Sequence, residues 1–234
     1  FDFRHNYDFI RKYITAADFA MGNLETVISS NNKDLSGYPQ FRSPSEYIEA
    51  ITGAGFDLLF LANNHTADHG SSGIQTTLRS IEKEGLFYTG AGRTNDTLRF
   101  FRKEINGISV CILAYTALSN LGINSREYYL NRLDPKTIRK DIQKAKDYFP
   151  DVVIVYFHFG EEYQREPNAY QIAIVDSVIK MGADIILAGH SHTLQPVRKF
   201  KTQGGRLDSG FVAYSLGNLI SNQRWRYSDG GVLL

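Results

Sequence analysis

The stretch Ile185-Ile186-Leu187-Ala188-Gly189-His190-Ser191-His192 decides how the chain is read. Four apolar residues in a row, bounded by a glycine, predict a short buried strand. The strand delivers that glycine and then two imidazoles one residue apart. Imidazole is the commonest side-chain ligand for borderline metals. Such a strand therefore carries candidate ligands to the edge of a sheet. Taken alone, such a pair is more often two packed or surface histidines, and its weight comes from what surrounds it.

The same event recurs outward along the chain. Residues 56–62 are a strongly apolar strand that runs into Asn63-Asn64-His65, with Asp68 and Gly70 close behind. Residues 152–157 are another, ending at His158-Phe159-Gly160-Glu161-Glu162. A short strand ends at Gly22-Asn23-Leu24-Glu25, and residues 211–216 run into Gly217-Asn218. Between them, helical spacing appears at Tyr7/Ile10/Ile14 (a helix over 6–17), Ile48/Ile51, Ile74/Leu78/Ile81, Ile138/Ile142/Ala145 and Ile172/Val175/Ile179. Ser43-Pro44-Ser45-Glu46 has the form of a capping box, and Asp134-Pro135 that of an N-cap followed by proline. Residues 29–42 read as a loop. Asn106-Gly107 between apolar runs predicts a tight hairpin. Strands alternating with helices, plus one hairpin, predict an α/β domain with mixed sheets over 1–234.

The bulk numbers agree with a globular α/β chain. It has 234 residues, 42% hydrophobic and 13% aromatic, with a formal net charge of +1. A charge this small excludes a general nucleic-acid binder. No apolar run reaches the roughly 18 residues of a membrane-spanning helix, and no signal peptide is evident. The single cysteine, Cys111, sits in an apolar run and reads as a buried structural thiol; alone it can form no internal disulfide. The chain opens on Phe1-Asp2-Phe3 without methionine, which reads as a trimmed product with a removed signal or anchor left open.

In open α/β sheets, sites form outside the carboxyl ends of the strands. Four of the six histidines, at 65, 158, 190 and 192, fall at such ends, with Asn23, Glu25, Asn64, Asp68, Glu161, Glu162 and Asn218. Imidazoles and carboxylates together suit one or two divalent ions such as Zn, Mn or Fe. Such ions lower the pKa of a bound water and polarise a substrate oxygen, and two of them about 3.5–4 Å apart suit in-line displacement at phosphorus. Each residue also has a plain reading. His158 reads as a packed histidine, Asn63-Asn64 as turn residues, Glu161-Glu162 as solvated charges, and Asp68 as a cap of the next helix.

Five stretches, in order and spanning about 18 to 220, carry a family resemblance. They are Gly22-Asn23-Leu24-Glu25-Thr26, Ala62-Asn63-Asn64-His65-Thr66-Ala67-Asp68-His69-Gly70, His158-Phe159-Gly160-Glu161-Glu162-Tyr163, Gly189-His190-Ser191-His192-Thr193-Leu194-Gln195-Pro196 and Tyr214-Ser215-Leu216-Gly217-Asn218. The chain resembles the CapA family of bacterial capsule proteins, associated with poly-γ-glutamate synthesis, in the calcineurin-like metallophosphoesterase superfamily. The resemblance implies a four-layer α/β/β/α sandwich with a two-metal site. Asn64, His158, His190 and His192 match metal ligands, and Glu25 stands near where the superfamily has a bridging Asp. His65 matches the general acid or phosphate-contacting histidine, with Asp68 as orienting partner. Asn23, Glu162 and Asn218 are expected at the substrate.

The superfamily's opening strand, with its metal-binding Asp, has no match in a chain that opens in the predicted helix over 6–17. The expectation is an N-terminally incomplete domain with impaired or absent two-metal binding. The implied activity is a metal-dependent phosphoesterase-type hydrolase acting on a phosphoester or polyanionic polymer. The alternatives are a non-catalytic polymer-binding or export component of a membrane-bound capsule synthesis complex, or a relic with an unused site. For the polymer-binding alternative, Arg224 and Arg226 flanking Trp225 are candidate contacts or merely a solvated loop. The implied location is the bacterial cell envelope, extracytoplasmic, with membrane anchoring through a segment outside this chain.

Overall fold

Parallel strands cannot be joined by tight turns, so each needs a crossover long enough to return the chain to the same edge. The alternation of apolar runs and helical spacing supplies those crossovers. The structure, a computed structural model, describes residues 1–95, 98–123, 125–203 and 206–234. A 3-10 turn, Arg4–Tyr7, is followed by α1 (Arg11–Ile14), β1 (Met21–Asn23), β2 (Val27–Ile28), β3 (Arg42–Ser43), α2 (Glu46–Ala54) and β4 (Leu58–Phe60). Next come α3 (Gly70–Lys83), β5 (Phe87–Thr89), β6 (Ala91–Arg93), β7 (Phe101–Ile105), β8 (Ile108–Thr116) and β9 (Tyr128–Leu130). The chain continues through α4 (Pro135–Lys146), β10 (Val152–His158), α5 (Ala169–Met181), β11 (Ile185–Gly189), β12 (Leu194–Lys201) and β13 (Ser209–Leu216).

These elements form two compact units, Phe1–Phe101 with Leu118–Asn131, and Arg102–Ala117 with Arg132–Leu234. The first unit is built on a parallel sheet of order β1-β4-β5, in which Asn23 pairs with Phe60 and Phe60 with Thr89. Helix α3 buries Ile74, Leu78 and Ile81 on one stripe, each worth about 1.5–3 kcal/mol. Thr77 on the same helix takes the Ile28 N–H at 2.9 Å and so ties it to β2.

The second unit holds a six-stranded mixed sheet of order β12-β13-β11-β10-β8-β7. Its core strands β8, β10, β11 and β13 are parallel, and β12 pairs antiparallel with β13. Ile112, Leu113, Val155, Phe157, Ile186 and Val212 on these strands are fully buried. Helices α4 and α5 pack on each other, and α4 packs on β8 and β10. The β7–β8 turn has positive φ at both Asn106 (49°) and Gly107 (83°), the primed geometry that matches strand twist. Asp134 caps α4 by accepting the Thr137 N–H at 2.9 Å, with Pro135 at the first position.

Several local expectations are corrected. Residues 6–17 do not form one helix; a 3-10 turn and the four-residue α1 replace it. Neither piece has a side-chain cap, and so short a helix is marginal without one. Tertiary anchors fix the segment instead, with Tyr7 edge-on to Phe56 and Ile14 buried. Ser43 does not cap α2: it lies in β3, its hydroxyl 2.9 Å from Thr26 Oγ1, and Ser45 stands at the cap position with its hydroxyl donated to the Glu46 carboxylate at 3.2 Å and not bonded to the helix backbone. The capping box lies on α5, where Asn168 and Gln171 exchange bonds at 2.9 and 3.0 Å. On that helix Ile172 is exposed, and Gln171, Ile174, Val175 and Val178 form the buried side. The loop over 29–42 is bracketed by the two-residue parallel pair of β2 and β3.

Candidate functional site

Because β1 and β4 are parallel and in register, the residues that follow them leave the first unit's sheet at one edge. Asn63, fully buried, binds that edge together. Its Nδ2 donates to Asn23 Oδ1 at 3.1 Å and to the Leu24 carbonyl at 2.7 Å. Its Oδ1 accepts from the His65 N–H at 3.1 Å and from Thr66 Oγ1 at 3.0 Å. This side chain is therefore a latch between strand ends. Asn23, which is exposed, also donates to Glu25 Oε2 at 3.1 Å.

His65 is buried by the Phe41 ring at 4.4 Å between centroids. Its Nδ1 lies 2.7 Å from Asp68 Oδ2, and the same oxygen accepts the Phe41 N–H at 2.8 Å. Asp68 is 2% exposed and does not cap α3, whose cap position is His69. With the Nδ1 proton directed at Asp68, Nε2 is the nitrogen that can accept or deliver a proton. Burial, with Arg42 nearby, holds His69 below the ordinary imidazole value.

Asn64 donates from Nδ2 to Asn120 Oδ1 at 3.3 Å and accepts the Asn120 N–H on its carbonyl at 3.0 Å. Asn120 Nδ2 also approaches His65 Nδ1 at 3.2 Å. Asn120 was missed by sequence reasoning. Its signal was available, since it is a polar residue four positions past the apolar β8.

The second unit repeats the geometry. In register, His158 pairs with Gly189 on β11 and with Thr116 on β8, so the turn after β11 emerges beside the end of β10. The His158 and His190 rings stand 4.9 Å apart, and both side chains are buried, at 0% and 7% exposure. His192 follows at 6.2 Å from His190. Its Nδ1 lies 3.0 Å from Asn218 Oδ1, an obligate acceptor in this pairing, so Nδ1 carries the proton and Nε2 the lone pair. Asn218, expected at the substrate, is thus an orienting partner of His192. Its Nδ2 donates to the Ser228 carbonyl at 2.9 Å.

Gly189 is required by close approach: a Cβ there would stand 2.7 Å from the Tyr156 hydroxyl, which itself lies 3.4 Å from His158 Nδ1. Glu161 accepts from Asn168 Nδ2 at 3.3 Å. Glu162 is exposed.

The two buried imidazoles, His158 and His190, with His192 further along the same turn, are side chains of the type that a nitrogen-preferring divalent ion takes. Further from this edge, Asp184 is buried where it accepts the Val153 N–H at 2.8 Å, and desolvation raises its carboxyl above the ordinary range.

Helices flanking a parallel sheet and a mixed one, with imidazole and amide donors at the carboxyl ends, define a metallophosphoesterase-like α/β fold. Haemophilus influenzae NAD nucleotidase shares the fold, with a TM-score of 0.50 at 16% identity over 74% of this chain and 37% of that one. A hypothetical protein from Thermus thermophilus superposes with a TM-score of 0.54 at 15% identity, over 92% of this chain and 70% of that one.

The chain belongs to the bacterial capsule synthesis protein PGA_cap family, whose model matches residues 1–223. It is 31% identical to the capsule biosynthesis protein CapA of Bacillus anthracis over 99% of its own length, and 28% identical to the PGA biosynthesis protein CapA of Bacillus subtilis over 97%. It spans 56% and 60% of those two relatives. A probable polyglutamine synthesis accessory protein of Mycobacterium tuberculosis is 24% identical over 80% of the chain and 53% of that relative. Among the described residues no helix is long and apolar enough to cross a membrane.

Proposed function

We propose that this chain works in bacterial capsule synthesis at the cell envelope and carries a metal-dependent, phosphoesterase-type hydrolase site at its strand ends. The observation that carries the hydrolase reading is the buried His158–His190 pair with His192 held in one tautomer by Asn218. These three imidazoles would hold a divalent ion. By motif match alone the proposal extends to Glu25 and Asn64 as further ligands. Such an ion supplies a water of lowered pKa and polarises the substrate oxygen.

The chain's own contribution is clearest at His65. Asp68 holds Nδ1 at 2.7 Å, so Nε2 is left as the nitrogen that can exchange a proton with a leaving group. The Phe41 ring shields that imidazole from solvent. The substrate is a phosphoester or a polyanionic polymer, met within a polyglutamate-type capsule machinery. A polymer-binding role without turnover is favoured only by the exposed basic and aromatic residues around Trp225, which is 70% exposed.

Turnover of phosphomonoesters, phosphodiesters and poly-γ-glutamate, with and without added Mn or Zn, tests the proposal. His190→Ala and His65→Gln are expected to lose about 10²-fold or more while the folded spectrum is kept. Turnover that is independent of metal, or equal in wild type and both variants, would overturn it.

A further inference from the structure

Two loops of the second unit are tied to the turn that carries His190 and His192. One is the loop that carries Arg165. Tyr163 donates its N–H to the Ser191 carbonyl at 2.7 Å, and its ring stacks on His192 at 6.0 Å. The carbonyls on either side of Arg165 are also held. Gln164 accepts from Thr193 Oγ1 at 2.7 Å and from Gln195 Nε2 at 3.0 Å, and Glu166 accepts from that same Nε2 at 3.3 Å. Thr193 and Gln195 are both buried, so the backbone at Arg165 is anchored to fixed groups.

The other loop carries Arg226 and Tyr227. Asn218 bridges His192 and the Ser228 carbonyl, and Ser228, fully buried, donates its N–H and hydroxyl to the Trp225 carbonyl at 3.0 and 3.1 Å.

The loops meet on one ring. The Arg165 guanidinium lies 4.3 Å from the Tyr227 centroid and the Arg226 guanidinium 4.7 Å from it. Each cation–π contact is favourable, but together they gather two positive charges on a single exposed tyrosine. Like charges so placed repel, and carboxylates would normally answer them. Glu161, Glu162, Glu166 and Asp229 are near in sequence, yet among the described residues neither arginine is in an ion pair. The backbone is also held away from its relaxed state. Tyr163, His190, His192 and Tyr227 have φ of 64°, 98°, 57° and 75°. Bulky residues adopt that region at a cost and keep it only where surrounding bonds enforce it, a pattern that clusters at ligand sites.

We infer that Arg165 and Arg226, paired on the Tyr227 ring beside His192, form a clamp for an oxyanion of the substrate, a phosphate or a carboxylate. The chemistry is that of the guanidinium fork, which meets two oxygens of one anion with two parallel N–H bonds. The clamp's place in a reaction rests on the hydrolase reading proposed above, whereas its binding of an anion does not.

The experiment is equilibrium binding of inorganic phosphate and of glutarate, each followed by titration calorimetry on the metal-free and metal-loaded chain. The wild type is expected to bind at least one probe, and whichever binds more tightly assigns the anion. Arg165→Ala/Arg226→Ala is expected to weaken that binding at least about tenfold with thermal unfolding unchanged. Arg165→Lys/Arg226→Lys should recover only part, since a point charge replaces a fork. The clamp is refuted if the wild type binds neither probe at millimolar concentration, or if the double alanine variant binds as tightly as the wild type. An absence of turnover with the binding loss intact would sink the hydrolase reading and leave the clamp standing. Where turnover is present, the alanine variant should raise KM by more than it lowers kcat.

Discussion

Replacing Asn63 by alanine should cost about 3 kcal/mol of stability. The figure follows from the four side-chain hydrogen bonds of Asn63 and from what each partner can do afterwards. Asn23 is exposed and turns to water, and Thr66 keeps its second bond, to the Leu61 carbonyl. The Leu24 carbonyl and the His65 N–H remain, bonded to Asn63 at 2.7 and 3.1 Å in a buried setting. A buried group left without its partner costs about 1–3 kcal/mol. Two of them give about 2–6 kcal/mol, and partial entry of water sets the lower half of that range. Asn63→Asp sharpens the test. It keeps an acceptor for His65 but places a carboxylate oxygen where the Leu24 carbonyl met a donor. It should therefore be no more stable than the alanine variant. Urea unfolding followed by circular dichroism gives both values. A loss below about 1 kcal/mol for alanine, the size of an ordinary surface change, would refute the latch. Aspartate tolerated better than alanine would show that the donor half of the amide does not matter.

Asp184 titrates above 3.8 in the folded chain because burial disfavours its charge, so the folded state binds the proton more tightly than the unfolded state. Stability from this group is then lost as pH rises from 3.8 through its higher folded value, and Asp184→Asn should gain on the wild type over that window. Urea midpoints of the pair that stay equally spaced from pH 4 to 7 would contradict this. Asn218→Ala frees His192 Nδ1, so zinc affinity should drop about 10- to 100-fold and the ring nitrogen shifts should show mixed tautomers; unchanged shifts would remove Asn218 from its orienting role. Cys111 is buried with its thiol pushed up to about 11, so a disulfide reagent at pH 8 should label it only after unfolding. Fast labelling of the folded chain would show that β8 is open.

The parts of the fold that sequence made legible are those with a local physical cause. Apolar runs of four to seven residues became β4, β8, β10, β11 and β13, because strands buried on both faces read as continuous hydrophobic stretches. Asn106-Gly107 and Asp134-Pro135 carried their turn and cap chemistry in two residues each. Strand β12 was invisible because its residues are mostly exposed and do not alternate; backbone pairing with β13 alone defines it. The pairs β2–β3 and β6–β9 are too short for any period to register. At the site, parallel register explains why strand-end polar residues gather at an edge. It does not say which are ligands, latches or orienting groups. That distinction came from partners distant in sequence: Asn63 with Leu24, Asn218 with His192, Asn120 with Asn64. Arg165 belongs to the same class, because its neighbour in space, Tyr227, lies 62 positions away and no spacing rule connects them.

Metal content tests the central claim most directly. The chain, loaded with zinc or manganese, desalted and measured by inductively coupled plasma mass spectrometry, should retain at least one equivalent of divalent ion. His158→Ala and His190→Ala should each reduce that to background with the helical and strand signal preserved. Retention of the ion by both variants, or none in the wild type after loading, would contradict the assignment of these buried imidazoles as ligands.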